Sequence, residues 1–299
     1  MGKGGSATNI DAPISHLVRS PAMERLWFIT NPRSGSASGA KCEAIEAVLA
    51  DRGLSLLGRT AFPEEALPTA TELDAAGVDT AILFAGDGTI NAALCALADW
   101  EGAFLILPGG TMNMLAKQLH ATAEPATIIA VAHGADERVA LPFVEAGPYR
   151  AFVGVILGPA GNWFRAREAV RAGRVARLGQ AVRLAWRRTF GETVRVAGLP
   201  GAGQGHQAIF VSPHPDGLDA AAIDAREWRS ILSLGWGWMT GDWLAAQAVT
   251  HRVTAALSTL GPKPSLALFD GEPQILAPGT RITGGMTRRA FIMTREDPR

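Results

Sequence analysis

Two stretches, DTAILF (79–84) and AFLILP (103–108), are almost wholly apolar and lack the polar alternation of a half-exposed strand. Each breaks at once into a glycine turn, AGDGT (85–89) after the first and GGT (109–111) after the second. A strand apolar on both sides must be covered on both faces, the condition of a mostly parallel sheet wrapped by helices. LWFIT (26–30) is a third such run, followed by the polar turn NPRSGSASG, and LSLLGRT (54–60) reads as a further strand. Between them lie helical patterns: AKCEAIEAVLADRG ended by Gly53, a helix within PEEALPTATELDAAG, and one beginning near Thr89. From Arg25 onward this alternation predicts an open α/β sheet.

Two units rhyme. Gly88-Thr89-Ile90-Asn91 and Gly110-Thr111-Met112-Asn113 share G-T-x-N, each after an apolar strand and before an apolar-periodic helix. Ile90, Ala93, Leu94 and Leu97 mark the inner face of the first helix, and Met114, Leu115 and Leu119 that of the second. Both turns fall at the carboxyl edge of the sheet, where open α/β folds bind ligands. A threonine at each N-cap would satisfy an end amide, and the helix start would offer partial positive charge to an anion. One copy alone fits capping or a phosphate cradle equally; three glycine-containing turns on one edge favour the cradle. Asp87 repels phosphate unless a cation intervenes, so an aspartate in such a cradle implies Mg²⁺. Neither G-x-x-x-x-G-K-[ST] nor G-x-G-x-x-G is present.

The 299 residues suffice for two cores, and the zero formal net charge gives no global footprint for nucleic acid. Cys42 and Cys95 are the only cysteines, too far apart for a C-x-x-C motif, and fit a reducing cytosol. No run of about 18 apolar residues suggests a membrane span, and the first 22 residues have no apolar signal core. They do fit M-G-x-x-x-S, a weak myristoylation pattern; a flexible Gly/Ser tail is the simpler expectation.

Asn31-Pro32-Arg33-Ser34-Gly35, Ala85-Gly86-Asp87-Gly88-Thr89-Ile90-Asn91 and Leu107-Pro108-Gly109-Gly110-Thr111-Met112-Asn113 resemble, in order and spacing, the nucleotide-site motifs of the diacylglycerol kinase catalytic family. That family includes sphingosine kinases and soluble bacterial lipid kinases. The resemblance resumes at Asp216-Gly217-Leu218-Asp219 and Asp270-Gly271-Glu272. It implies an α/β nucleotide-binding domain, with an open sheet like those of NAD kinase and phosphofructokinase, followed by a β-rich sandwich domain. The corresponding division is a tail over 1–22, the nucleotide domain over 23–142, a β-rich lipid domain over 143–282, and a C-terminal strand over 283–299 returning to the first domain.

By the same resemblance, ATP would be held by Asn31, Gly86, Asp87, Gly88, Thr89, Ile90, Asn91 and Ala92, with Thr60, Gly110, Thr111 and Asn113 helping. Asp270 would be the proton acceptor, with Glu272 beside it near the metal. Mg²⁺ is expected at Asp87, and the family's structural magnesium site maps onto Asp216, Leu218 and Pro213, the latter two through backbone oxygens. The family commonly writes G-G-D-G-T-x-N-E, whereas Ala85 and Ala92 replace the first glycine and the glutamate here, and Met114 stands where many members have an aspartate.

The implied reaction transfers the γ-phosphate of ATP to the hydroxyl of a diacylglycerol, a sphingoid base or a related lipid. Asp-Gly within SLALFDGEPQIL (265–276) is also a hairpin signal, and a rigid hairpin tip is compatible with holding a base. Between Arg165 and Arg188 lie eight arginines and one glutamate, a face suited either to solvent or to an anionic membrane. Trp236, Trp238 and Trp243 fit a core or a lipid contact. The expected protein is cytoplasmic, visits the inner membrane face peripherally and has no nucleic-acid partner. An NAD kinase-like enzyme and a catalytically impaired nucleotide- or lipid-binding regulator are the alternatives.

Overall fold

A computed structural model describes residues 23–34, 37–134, 138–158, 193–200, 203–223 and 249–295. The tail, the 165–188 arginine stretch and the 234–246 tryptophan stretch fall outside these residues.

The first half alternates as expected: β1 (Arg25–Thr30), α1 (Gly39–Asp51), β2 (Ser55–Ala61), α2 (Ala70–Ala75), β3 (Thr80–Ala85), α3 (Asp87–Ala96), β4 (Ala103–Pro108), α4 (Met114–Leu119), α5 (Pro125–His133) and β5 (Arg138–Val139). α2 is started by a capping box, Thr69 accepting from the Glu72 amide while Glu72 accepts from that of Thr69. All six positions of β3 and of β4 are buried, and side-chain alternation sends them to two different cores. Ala81, Leu83, Phe104 and Ile106 pack with α3, α4 and Trp100 on one face; Ile82, Phe84, Leu105 and Leu107 pack with α1 and α5 on the other.

The remaining strands are β6 (Pro142–Ala146), β7 (Tyr149–Ala151), β8 (Val155–Leu157), β9 (Arg195–Ala197), β10 (Ala208–His214), β11 (Gly217–Ile223), β12 (Val249–Thr254), β13 (Ala256–Leu260), β14 (Ser265–Phe269), β15 (Glu272–Leu276), β16 (Arg281–Met286) and β17 (Phe291–Ile292). All of these but β17 build two antiparallel sheets, ordered β12-β11-β10-β8-β14-β15 and β7-β6-β16-β13-β9. Val144, Leu257 and Ile282 from one sheet meet Val155, Ile209, Leu218 and Phe269 from the other in a shared core. The fold is thus an open α/β sheet followed by a β-rich region.

The α/β sheet has the order β2-β1-β3-β4-β17-β5. Among the described residues of the expected returning strand, β17 joins this sheet, parallel to β4 and antiparallel to β5. Phe291 of β17 stands between Phe104 and Phe152, ring centroids 5.4 and 6.3 Å away, so aromatic packing links the α/β sheet to the loop after β7. Because β1 leads outward to β2 and the chain then returns to the other side of β1 as β3, the order reverses between β1 and β3. Ligands of open α/β sheets bind outside the carboxyl ends at such a reversal. Among the described residues no helix is long and apolar enough to cross a membrane.

Candidate active site

The β1 and β3 turns flank that reversal and are bonded to each other. Asn31 accepts from the Arg33 amide at 2.8 Å, closing its own turn, and donates to Thr89 Oγ1 at 2.8 Å. The Gly86 amide donates to Ser34 Oγ at 3.2 Å. The third turn packs on the second with backbone close against backbone: a Cβ on Gly110 would lie 2.6 Å from Gly86 Cα, and one on Gly109 would lie 2.5 Å from the Ala85 nitrogen. Neither glycine has positive φ, so close approach explains these residues.

The capping expectation is corrected. The N-caps are Gly86 for α3 and Asn113 for α4, neither with a side-chain cap bond. Thr89 lies in the first turn of α3 and holds Asn31, while Thr111 is exposed on the cleft. Asn113 takes a left-handed conformation (φ 50) and bonds Gly110 through both its oxygen (2.7 Å) and its amide (3.0 Å). Asp87 reaches across to accept from the Met114 amide at 2.9 Å, so it joins the start of α4 to that of α3.

From the β-rich side, Asp270-Gly271 forms the two-residue turn between β14 and β15, with Phe269 opposite Glu272. Both turn residues have positive φ, 46 and 90, as a type I′ hairpin requires. The Asp270 carboxylate is held by four donors. Oδ1 accepts from the Val153 and Gly154 amides, both at 2.9 Å, and Oδ2 from the Phe152 amide at 2.8 Å and Asn91 Nδ2 at 2.7 Å. Although the residue is half-buried, its carboxyl group is enclosed. Burial raises its pKa above the ordinary carboxylate value, and the four donors pull in the opposite direction. Glu272 is exposed, and its Oε1 lies against Gly88, occupying the space a side chain there would need.

One cleft therefore gathers Asn31, Gly86, Asp87, Gly88, Thr89, Gly110, Thr111, Asp270 and Glu272. Other expected residues do not line it. Thr60 is buried and accepts from the Trp27 indole at 3.0 Å, and Ile90 belongs to the core. Asn91 turns away toward Asp270, Asn113 braces its own turn, and Ala92 is half-buried outside the lining. Met114, expected on the inner face of its helix, faces the cleft instead.

Pro213, Asp216 and Leu218 share the β10–β11 hairpin, away from the cleft lining, with Pro213 opposite Leu218. The Asp216 carboxylate is exposed, 3.8 Å from His214. Among the described residues no three acidic, histidine or cysteine side chains cluster. The lining residues missed from sequence are Ser34, inside a motif already visible, and Met112, Val153, Gly154, Ile156, Phe210 and Leu268. The amides after β7 are equally invisible, because a backbone donor has no residue signature.

Fold and site define an open-sheet α/β protein whose glycine turns face a hairpin carboxylate across a cleft. Residues 25–141 match the model of the diacylglycerol kinase catalytic domain, and the resemblance read from the sequence is borne out over those residues. No curated protein matches the chain. Among solved structures, "a putative diacylglycerol kinase from Bacillus anthracis str. Sterne" is similar over 92% of this chain and 98% of its own, with TM-score 0.63 at 17% identity. A second diacylglycerol kinase structure from that organism covers 92% of this chain and 97% of its own, with TM-score 0.59 at 15% identity.

Proposed function

We propose that the chain is an ATP- and Mg²⁺-dependent lipid kinase. The observation that carries this reading is the meeting of the three glycine turns with Asp270 and Glu272, more than 150 positions apart in the chain, in one cleft. The described lining holds no lysine or arginine, so phosphate charge must be met by backbone amides, the α3 N-terminus and a divalent ion. Asp87 and Glu272 fit Mg²⁺, which is usually held by one or two carboxylates together with substrate phosphates. When bound, the ion offsets charge on the phosphates. Val153, Ile156, Phe210 and Leu268 supply an apolar wall beside these polar groups, suited to an acceptor with a hydrocarbon portion.

In the transfer, the acceptor hydroxyl gives its proton to the Asp270 carboxylate. Its oxygen bonds to the γ-phosphorus, the bond from that phosphorus to the β–γ bridging oxygen breaks, and ADP leaves. The turns position the phosphates, and Asp270 is aimed by the 152–154 backbone. The test is γ-labelled ATP with Mg²⁺ and, in separate arms, diacylglycerols, sphingoid bases, a total membrane lipid extract and NAD. Label in a lipid is expected. Label in NADP, or in no lipid at all, overturns the reading.

A further inference from the structure

We propose that Asn91 is a positioning residue for the transfer: its side-chain amide holds the Asp270 carboxylate and ties it to α3, whose first turn forms the phosphate cradle. This rests on the reading of Asp270 as proton acceptor. The family resemblance implies that Asn91 holds ATP, but the helix turns it elsewhere. Gly86 to Thr89 line the cleft, Ile90, Ala93 and Leu94 fill the core, and Asn91 projects toward β7 and the β14–β15 tip.

Every polar position of the Asn91 amide is used. Nδ2 donates to the Arg150 carbonyl at 2.8 Å and to Asp270 Oδ2 at 2.7 Å, and Oδ1 accepts from the Cys95 thiol at 3.6 Å, one helical turn on. These partners fix which end is nitrogen, because the other orientation would set an oxygen against two acceptors. Few side chains satisfy such a site. Aspartate has no donor, leucine has neither donor nor acceptor, and glutamine is one methylene longer.

The four donors to Asp270 differ in kind. Three are amides of the 152–154 segment, which is itself fastened to the hairpin by the Asp270 amide donating to the Gly154 carbonyl at 3.0 Å. Only Asn91 comes from the α/β half. It therefore ties the carboxylate directly to α3, whereas the other three donors reach the α/β half only through packing such as that of Phe152 on Phe291. It is also the only one of the four that a substitution can remove without altering the backbone. Ionisable groups around the contact are Cys95 on α3, the Arg150–Glu145 pair (2.7 Å) beside β7, and Asp87 and Glu272 on the cleft.

The test compares wild type with Asn91→Leu, Asn91→Asp and Asp270→Asn, using the lipid that gains label above. The readouts are kcat and KM for ATP, with urea unfolding as the measure of folded stability. Asn91→Asp is close in shape, so it serves if Asn91→Leu does not fold. Loss of the donor leaves Asp270 Oδ2 with the Phe152 amide and cuts the direct bond from the carboxylate to α3. In both Asn91 variants kcat is expected to fall roughly tenfold or more, with KM for ATP within about twofold. A merely structural role would loosen the cleft and raise KM for ATP together with any fall in kcat, and that result, or an unchanged kcat, in a folded variant overturns the inference alone. Wild-type turnover in Asp270→Asn would instead overturn the proton-acceptor reading, and the inference with it.

Discussion

His120 couples the third turn's helix to the returning C-terminal segment, and it should make the fold acid-labile. It is 3% exposed at the end of α4. Nε2 lies 2.8 Å from the Ile106 carbonyl, which can only accept, so the neutral ring carries its proton there and Nδ1 takes the hydroxyl of Thr294 at 2.9 Å. Burial lowers its pKa from 6.5 to about 4, with the carbonyl contact opposing. The folded-state value is thus below the unfolded one. The stability contribution is fully present above about pH 6.5 and is lost as pH falls toward 4, because the unfolded chain binds the proton first. At about 1.4 kcal/mol per pH unit that gap corresponds to roughly 3 kcal/mol, a substantial share of an ordinary domain's stability. Urea unfolding of wild type and His120→Gln at intervals from pH 7.5 to 4.5 isolates this contribution as the difference between two curves. The variant loses stability at neutral pH and then declines less steeply on acidification. Parallel curves for the two proteins would refute the assignment of a buried neutral imidazole.

Three further substitutions test the geometry. Gly110→Ala forces the turns after β3 and β4 apart, since the new Cβ would lie 2.6 Å from Gly86 Cα and both sides are backbone. A displacement on the order of 1 Å should lower phosphoryl transfer by about 10²-fold. Gly39→Ala, which meets nothing within 4 Å, should keep wild-type rates, and equal rates in both variants would disprove the close-approach explanation. Phe291→Ala removes a ring 2% exposed between Phe104 and Phe152, at a cost of about 3–5 kcal/mol measured by urea unfolding. A loss under about 1 kcal/mol would show that β17 is not part of the core.

Local chemistry made much of the architecture legible. The apolar runs ending in turns set β1, β3 and β4 within a residue or two of their observed ends, because an apolar run of five or six residues bounded by a turn is too short for a helix. Asp270-Gly271 likewise announced a turn, and in the structure both residues take positive φ. The threonine caps failed for an equally physical reason. A good capping residue is only one way to satisfy the first amides of a helix, and here Asp87 serves the Met114 amide from another turn altogether.

Local sequence patterns delimited β1 to β4 and the β14–β15 hairpin, and indicated that three glycine turns share one edge of a sheet. Those features are governed by period, φ and capping, each decided within a few residues. Tertiary packing decided that Met114 faces the cleft, that Thr60 is consumed by Trp27, and that Asn91 reaches Asp270 rather than the cleft. It also decided that the backbone amides of Phe152, Val153 and Gly154 aim the carboxylate. Such contacts depend on the rotation of a helix within its packing and on amide groups that every residue except proline shares, so no local pattern encodes them.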